Sequence, residues 1–307
     1  MTLLKYGMTL PVQAQSRLMA ERWEAAAGPA ELGAVASACD WAEFDNISVC
    51  DHVAVPRDLA DRMSTVWYDQ VATLGWLAGI TSRVKLLSQV YVLPYRSPLQ
   101  AAKSFATLDL LSGGRAIAGV GAGHVAREFE ALGVSFADRG RLTDEGIAAL
   151  RRLFADEWGG GGGEASDLGQ SPRPVQPGGP PIWVGGSTAP ARRRAAMLGD
   201  GWLPQGPPDI GMKAAIEEIL GLRKAAGRSE TSFAMGDMVA YYVGEPSWET
   251  GRYCLAGQPG QIAEHLVGRG AIGVTHVQVR LRSRDCSELV SQIEAFAETV
   301  MPLVAAS

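Results

Sequence analysis

The amino-acid sequence predicts an α/β fold of one kind, a (β/α)8 TIM barrel. Three observations predict it. Short β-branched runs alternate with Ala/Leu-rich stretches of helical spacing along nearly the whole chain. The alternation yields about eight strands and eight or more helices, a count that suits a closed barrel better than an open sheet. A length of 307 residues, which as a bare prior suggests two domains, is ordinary for one barrel. A single domain over residues 1–307 is therefore expected.

The first strand candidate is 4–10, followed by a polar stretch at 12–28. Residues 29–43 read as a helix, with Pro29 near its start and apolar residues at helical spacing. Strand 46–50 ends at Asp51-His52, and helix 64–80 leads to a long buried strand, 84–93, closed by Pro94. Helix 99–111 stops at Ser112-Gly113-Gly114, and strand 115–120 runs into Gly121-Ala122-Gly123-His124. A helix at about 138–155 precedes five consecutive glycines, and the segment 157–180 reads as a flexible Gly/Pro-rich insertion loop. Strand 181–184 then enters Gly185-Gly186-Ser187-Thr188. Helix 190–198, strand 201–203, helix 210–226, strand 233–243, helix 258–269, strand 275–279 and helix 287–300 complete the alternation.

Composition narrows the function. Hydrophobic residues make up 47% and charged residues 20%, enough for a large core and too apolar for disorder. A net charge of −5 argues against a nucleic-acid binder. There is no apolar run of about 18 residues and no basic-then-apolar leader, so neither a membrane span nor a signal peptide is expected. Cys39, Cys50, Cys254 and Cys286 have no metal spacing and read as reduced thiols of a cytoplasmic protein. Four histidines without HExxH predict no metal site.

In such a barrel the site forms at the carboxyl ends of the strands, and that rule selects residues. Gly185, Gly186, Ser187 and Thr188 lie between the strand PIWV and a helix, where free amides and the helix dipole suit a phosphate. A plain turn with an N-cap explains them equally well. Gly121, Ala122 and Gly123 read either as a tight turn or as bare backbone for a flat cofactor, with His124 alongside. His52, beside Asp51, can donate to a cofactor oxygen or stabilise a developing anion. Arg192, Arg193 and Arg194 read first as solvated side chains. Trp67, Tyr68, Tyr95 and Trp202 are candidate pocket walls, each singly better explained as core.

The segments KYGMTLP (5–11), DHV (51–53), VLPYRSPLQAAK (92–103), ATLDLLSGGR (106–115), GVGAGH (119–124), EFEALGVSFADR (128–139) and PIWVGGST (181–188) together resemble the luciferase-like monooxygenase superfamily. They are most similar to its branch using the deazaflavin coenzyme F420. The resemblance implies a bacterial luciferase-like barrel with a shortened insertion before strand five, in a homodimer. It implies a flavin or deazaflavin across the carboxyl rim, with Gly185, Gly186, Ser187 and Thr188 on its phosphate. Asp51 and His52 would then face the rings, and Gly121, Ala122 and Gly123 would follow the ribityl chain. It also implies a non-prolyl cis peptide under the ring at Gln89-Val90.

His124 stands where some F420-dependent members carry a glutamate proton donor, and Gln89 stands where a small Ser or Thr is expected. The implied function is an F420-dependent oxidoreductase moving hydride to or from a small organic substrate, with His52 and His124 as catalytic candidates. Arg57, Arg96 and Arg127 are candidates for a basic rim facing the coenzyme's acidic tail. The alternatives are an FMN-dependent monooxygenase and a non-catalytic cofactor-binding barrel.

Overall fold

The computed structural model describes residues 3–17, 20–158, 168–228, 233–251 and 253–307. Its ten strands are β1 (Lys5–Thr9), β2 (Asn46–Val49), β3 (Lys85–Ser88), β4 (Tyr91–Val92), β5 (Ala116–Gly121), β6 (Ile182–Gly185), β7 (Gly201–Leu203), β8 (Ala234–Val243), β9 (Cys254–Gly257) and β10 (His276–Leu281). All pairings among these strands are parallel. The order β10-β1-β2-β3-β5-β6-β7-β8 closes on itself through β8 and β10. The result is an eight-stranded parallel barrel with helices around it. β4 pairs with β5 just past the end of β3, and β9 extends the sheet beside β8. Strands covered on both faces read as continuous apolar runs, and β2, β5 and β6 are buried at every position.

The interior is divided. Leu87, Ile117, Trp183, Leu203 and Ala234 form an apolar cluster on the β3–β8 side. On the β10–β1–β2–β3 arc the contacts are polar: Gln278 donates to Asn46 Oδ1 at 2.8 Å, and Ser48 donates to Gln89 Oε1 at 2.6 Å.

Three expected elements differ. The long strand 84–93 is broken into β3 and β4 at Gln89-Val90, which is the cis peptide the resemblance implies. The helix expected at 64–80 starts at Gln70, because Asp69 caps it by accepting from the Ala72 amide at 2.8 Å. Before that cap, Trp67 Nε1 donates to the Ser64 carbonyl, and residue 67 bridges to Ala14. Helix 287–300 is Cys286–Ala295, continued by a wider turn over Phe296–Val300 and a last helix Met301–Ala305. The helix Ala126–Ala131 and strand β9 were not anticipated.

The glycine run at 159–163 lies outside the described residues. The part of the insertion from 168 onward has fixed partners. Buried Asp109 accepts from the Val175 and Gln176 amides and from Gln176 Nε2, and Arg173 donates to the Leu153 carbonyl.

Gly119 in β5 has no room for a side chain: a Cβ there would sit 1.9 Å from the Ser88 carbonyl oxygen. Gly221, on the exposed face of the helix Met212–Ala225, has open space instead. Gly119→Ala should therefore lower unfolding stability by about 3 kcal/mol through forced backbone movement. Gly221→Ala should raise it by about 0.5–1 kcal/mol. Urea midpoints of the two variants measure both shifts.

Candidate active site

Two neighbouring residues after β2 are tied to different parts of the rim. Asp51 is buried, and its carboxylate receives both Arg96 nitrogens, at 2.6 and 2.8 Å, and the Val92 amide at 2.9 Å. A bidentate pair of this kind fixes geometry as well as charge. Asp51 therefore anchors β4 rather than facing the cleft. Arg96 also stacks on the Tyr91 ring at 4.4 Å, so it is withdrawn from the expected basic rim.

His52 turns the other way. Its Nδ1 lies 2.8 Å from Glu128 Oε2, on the helix Ala126–Ala131. Glu128 is 2% exposed, and four donors converge on it. Its Oε2 accepts from His52 and, at 3.0 Å, from the Tyr95 hydroxyl. Its Oε1 accepts from the amides of Val53 at 2.8 Å and Ala54 at 3.1 Å. Burial opposes ionisation of Glu128, but His52 and the two amides outweigh it and hold the carboxyl below the usual carboxylate range. Burial and the Glu128 charge push the Tyr95 hydroxyl far up, so it is a fixed donor.

An ionised Glu128 keeps the proton on His52 Nδ1 and leaves Nε2 as the working nitrogen. The His52 ring packs edge-on against Trp67, with centroids 4.4 Å apart, and perpendicular to His124 at 5.5 Å. His124 is exposed at the rim. Surrounding protein, together with the charges of His52 and Arg62, lowers its pKa, so it is neutral near pH 7.

The floor is built by Val90. A Cβ on Gly121 would lie 2.5 Å from one Val90 methyl, and a Cβ on Gly185 would lie 2.4 Å from the other. These glycines make room for Val90, a reason the bare-backbone reading of Gly121 did not include. Gly123 has φ +76 and closes against Val92 and Phe129, and Ala122 before it is half-buried. Gln89 does not crowd this floor. It is buried, accepting from Ser48 and from Thr9 Oγ1 at 3.3 Å, with its amide nitrogen 3.5 Å from Met238 Sδ.

At the turn after β6, the Gly186 amide is already engaged with the Leu203 carbonyl at 2.9 Å, with φ +116. Ser187 Oγ donates to the Gly206 carbonyl at 2.6 Å and accepts from the Gln205 amide at 2.9 Å. The Ser187 and Thr188 amides have no acceptor among the described residues, and Thr188 is exposed at the head of the helix Ala189–Leu198. Those two amides and the Thr188 hydroxyl fit an anionic end group; the Gly186 amide does not join them.

Arg192 is buried rather than solvated, donating to the Ser187 carbonyl, Asp209 and Glu218, and so it braces the turn. Arg194 pairs with Asp144, leaving Arg193 exposed. Trp202 is fully buried and is core, its Nε1 donating to the Gly186 carbonyl at 2.8 Å. Tyr95 is likewise buried, while Trp67 and Tyr68 are half-buried. Arg127 pairs with Asp58 at the surface.

Sequence reasoning missed Glu128. It lies inside a segment already singled out, but nothing local separates it from Glu130 two residues on. Among the described residues no cluster of His, Cys, Asp and Glu could hold a metal ion, and no helix is long and apolar enough to cross a membrane.

Comparison with known proteins bears on this rim as a whole. The family model described as luciferase-like monooxygenase matches residues 4–253. An uncharacterised protein of Mycobacterium tuberculosis is 35% identical over 156 residues, covering 50% of this chain and 53% of that protein. The chain thus spans about half the length of the first curated relatives it matches. An FMNH2-dependent dimethylsulfone monooxygenase of Pseudomonas putida is 26% identical over 282 residues, covering 74% of this chain and 76% of that enzyme.

Among solved structures, a long-chain alkane monooxygenase superposes with a TM-score of 0.81 at 14% identity, covering 100% of this chain and 92% of that one. An F420-dependent secondary alcohol dehydrogenase, solved with an F420-acetone adduct, superposes with a TM-score of 0.76 at 18% identity, covering 98% and 99%. At these identities the structures share the fold. The family match, running through β1, the His52 rim and the turn after β6, shows that the chain belongs to the luciferase-like monooxygenase family.

Proposed function

We propose that this chain is a coenzyme F420-dependent oxidoreductase that moves hydride between the deazaflavin and a small organic substrate. The observation that carries the reading is the clamp on His52. A buried, ionised carboxylate fixes one ring nitrogen at 2.8 Å and so presents the other to the cleft. Bound there, the deazaflavin supplies the hydride, because it carries carbon where a flavin has N5.

The protein's own contributions follow from the site. The Ser187 and Thr188 amides and the Thr188 hydroxyl would hold the phosphate. Val90, seated between Gly121 and Gly185, sets the level of the floor. His52 Nε2 gives or takes the proton of the reacting centre. Trp67 covers His52 and keeps water from it. His124, neutral near pH 7, offers a hydrogen bond rather than a charge.

Arg57 and Arg62 are exposed cations of the same rim, and Arg62 is close enough to affect His124. They suit an acidic polyglutamyl tail, which FMN lacks. Similarity to the dimethylsulfone monooxygenase supports FMN as the second reading.

Titration with both coenzymes at two salt concentrations separates the readings. F420 should bind more tightly than FMN at low salt, and its advantage should shrink as salt screens the tail. Tighter FMN binding at both salts would overturn the assignment.

His52→Ala should cut turnover by about 10²–10⁴-fold with little change in coenzyme affinity. Glu128→Gln should cost about 10–100-fold in turnover through loss of orientation. Glu128→Gln also has a stability signature. The native carboxyl lies below its ordinary value of about 4.3, so its contribution is complete above that value and is lost as pH falls through the native one. The wild type should therefore lose urea stability between about pH 5 and pH 3 more steeply than Glu128→Gln. Equal slopes would show that Glu128 is not ionised in the fold.

The chain is further proposed to form a homodimer through the helices Pro29–Trp41, Gln70–Ile80 and Pro98–Ser112. Trp41, Trp76, Ile80, Leu110 and Leu111 are exposed there, and Gly75 and Gly79 leave open space for a close approach. Sedimentation should give twice the 32.5 kDa chain mass, and Trp76→Arg should give the single chain mass.

A further inference from the structure

On the β10–β1 side of the barrel mouth lies a cleft that the His52 site does not use. It is lined by Thr9, Gln13, Trp23, Glu24, Cys50 and Arg280, among others. Arg280 shares the inward parity of Gln278, whose amide reaches Asn46 inside the barrel. The polar stretch after β1 forms the outer wall. Trp23 Nε1 donates to Ser283 Oγ at 3.1 Å, Glu21 receives Arg282, and Glu24 is buried.

The polar groups around the cleft are satisfied, with one exception. Both Glu24 oxygens accept backbone amides, from Val12 at 2.8 Å and Glu21 at 2.7 Å, and burial raises its pKa. Both Glu21 oxygens are engaged by Arg282. Gln13 bonds the Leu10 carbonyl and the Cys50 amide, and Thr9 bonds Gln89. Arg280 alone differs. Its side chain is 25% exposed, and its one ion pair is a loose 3.8 Å contact with Glu21. Among the described residues its guanidinium donates no hydrogen bond at normal length. A guanidinium stays charged and carries five donors; Glu21 and buried Glu24 balance part of its charge, and the donors that no protein group holds are left for water or a ligand in the cleft. The cavity beside it, about 40 Å³, has room for roughly three waters, or the head of a carboxylate.

We propose that Arg280 is the anchor for a carboxylate on the organic substrate, held in the cleft between β1 and β10 with the rest of the molecule in the barrel mouth. Calling the ligand a substrate rests on the oxidoreductase reading; the binding site does not. A carboxylate accepts two parallel N–H bonds from the guanidinium, and a neutral oxygen does not match that fork.

The test uses the full-length protein without coenzyme, so its outcome is independent of which coenzyme binds. Linear carboxylates from acetate to octanoate, and the matched primary amides, are titrated at constant ionic strength. Affinity is read by calorimetry, and the Arg280 Nε–H resonance is followed by NMR and assigned with Arg280→Lys. At least one carboxylate should bind saturably, at least tenfold more tightly than its amide, and shift that resonance. Arg280→Met should lose the preference. Amides binding as well as acids, saturable binding unchanged in Arg280→Met, or no saturable carboxylate binding would each overturn the proposal. Should Arg280→Met fail to fold, the Nε–H shift in the wild type decides alone: a carboxylate-specific shift supports the proposal, and none refutes it.

Discussion

Four hydrogen bonds to one buried carboxylate organise the reactive side of this rim. Glu128 gathers donors from the segment after β2 and from the turn after β4, while itself standing on the helix after β5. That helix follows the glycine-rich end of β5 after only residues 122–125, which keeps Glu128 at the rim. Removing the carboxylate would leave two amides, a hydroxyl and an imidazole without their acceptor at once, and buried polar groups are costly when unpaired. The position of His52 is thus a property of three connected loops rather than of its own.

The adjacent residue performs the complementary task. Asp51 ties the end of β2 to β4 through the Val92 amide and Arg96. Asp51 and His52 point to opposite partners because successive residues of an extended chain alternate sides. One dipeptide therefore fixes the bulged third strand on one side and the proton-handling nitrogen on the other. Val90, presented by that bulge, fits between β5 and β6 only because Gly121 and Gly185 have no side chains. The cis peptide, the glycine motifs and the Asp51-His52 pair form one packing solution.

The fold was legible because period-two and helical alternation survive in almost every element, and parallel strands buried on both faces stand out as apolar runs. What escaped were boundaries set by individual side chains. The helix start at Gln70 depends on the Asp69 cap; the break in the strand at 84–93 was legible only through the resemblance, which placed the cis peptide at Gln89-Val90, because hydrophobicity does not encode it. In the site, motif reasoning found the loops but not the partners. Asp51 faced its cation rather than the cleft, and Arg192 braced a turn from inside. Glu128 was invisible as a partner of His52 because the two are 76 residues apart in the chain. Pairings of that range are set by barrel closure and leave no local mark.

The division of the barrel interior explains why polar chemistry gathers where it does. The β3–β8 side is filled by Leu87, Ile117, Trp183, Leu203 and Ala234, which are apolar apart from the one indole N–H and suit a flat floor. The β10–β3 arc carries Gln278, Asn46, Thr9, Ser48 and Gln89, linked pairwise by hydrogen bonds. That hydrogen-bonded set, in which Gln278 Oε1 has no partner among the described residues, runs beneath both His52, which extends from β2, and Arg280, at the end of β10. It lets a polar interior be buried without orphaned donors, and it holds rigidly the strands that carry the two side chains. A cation on β10 and an oriented imidazole after β2 are therefore set at a separation fixed by strand spacing, with β1 between them. Their reach defines the size of molecule that could engage both.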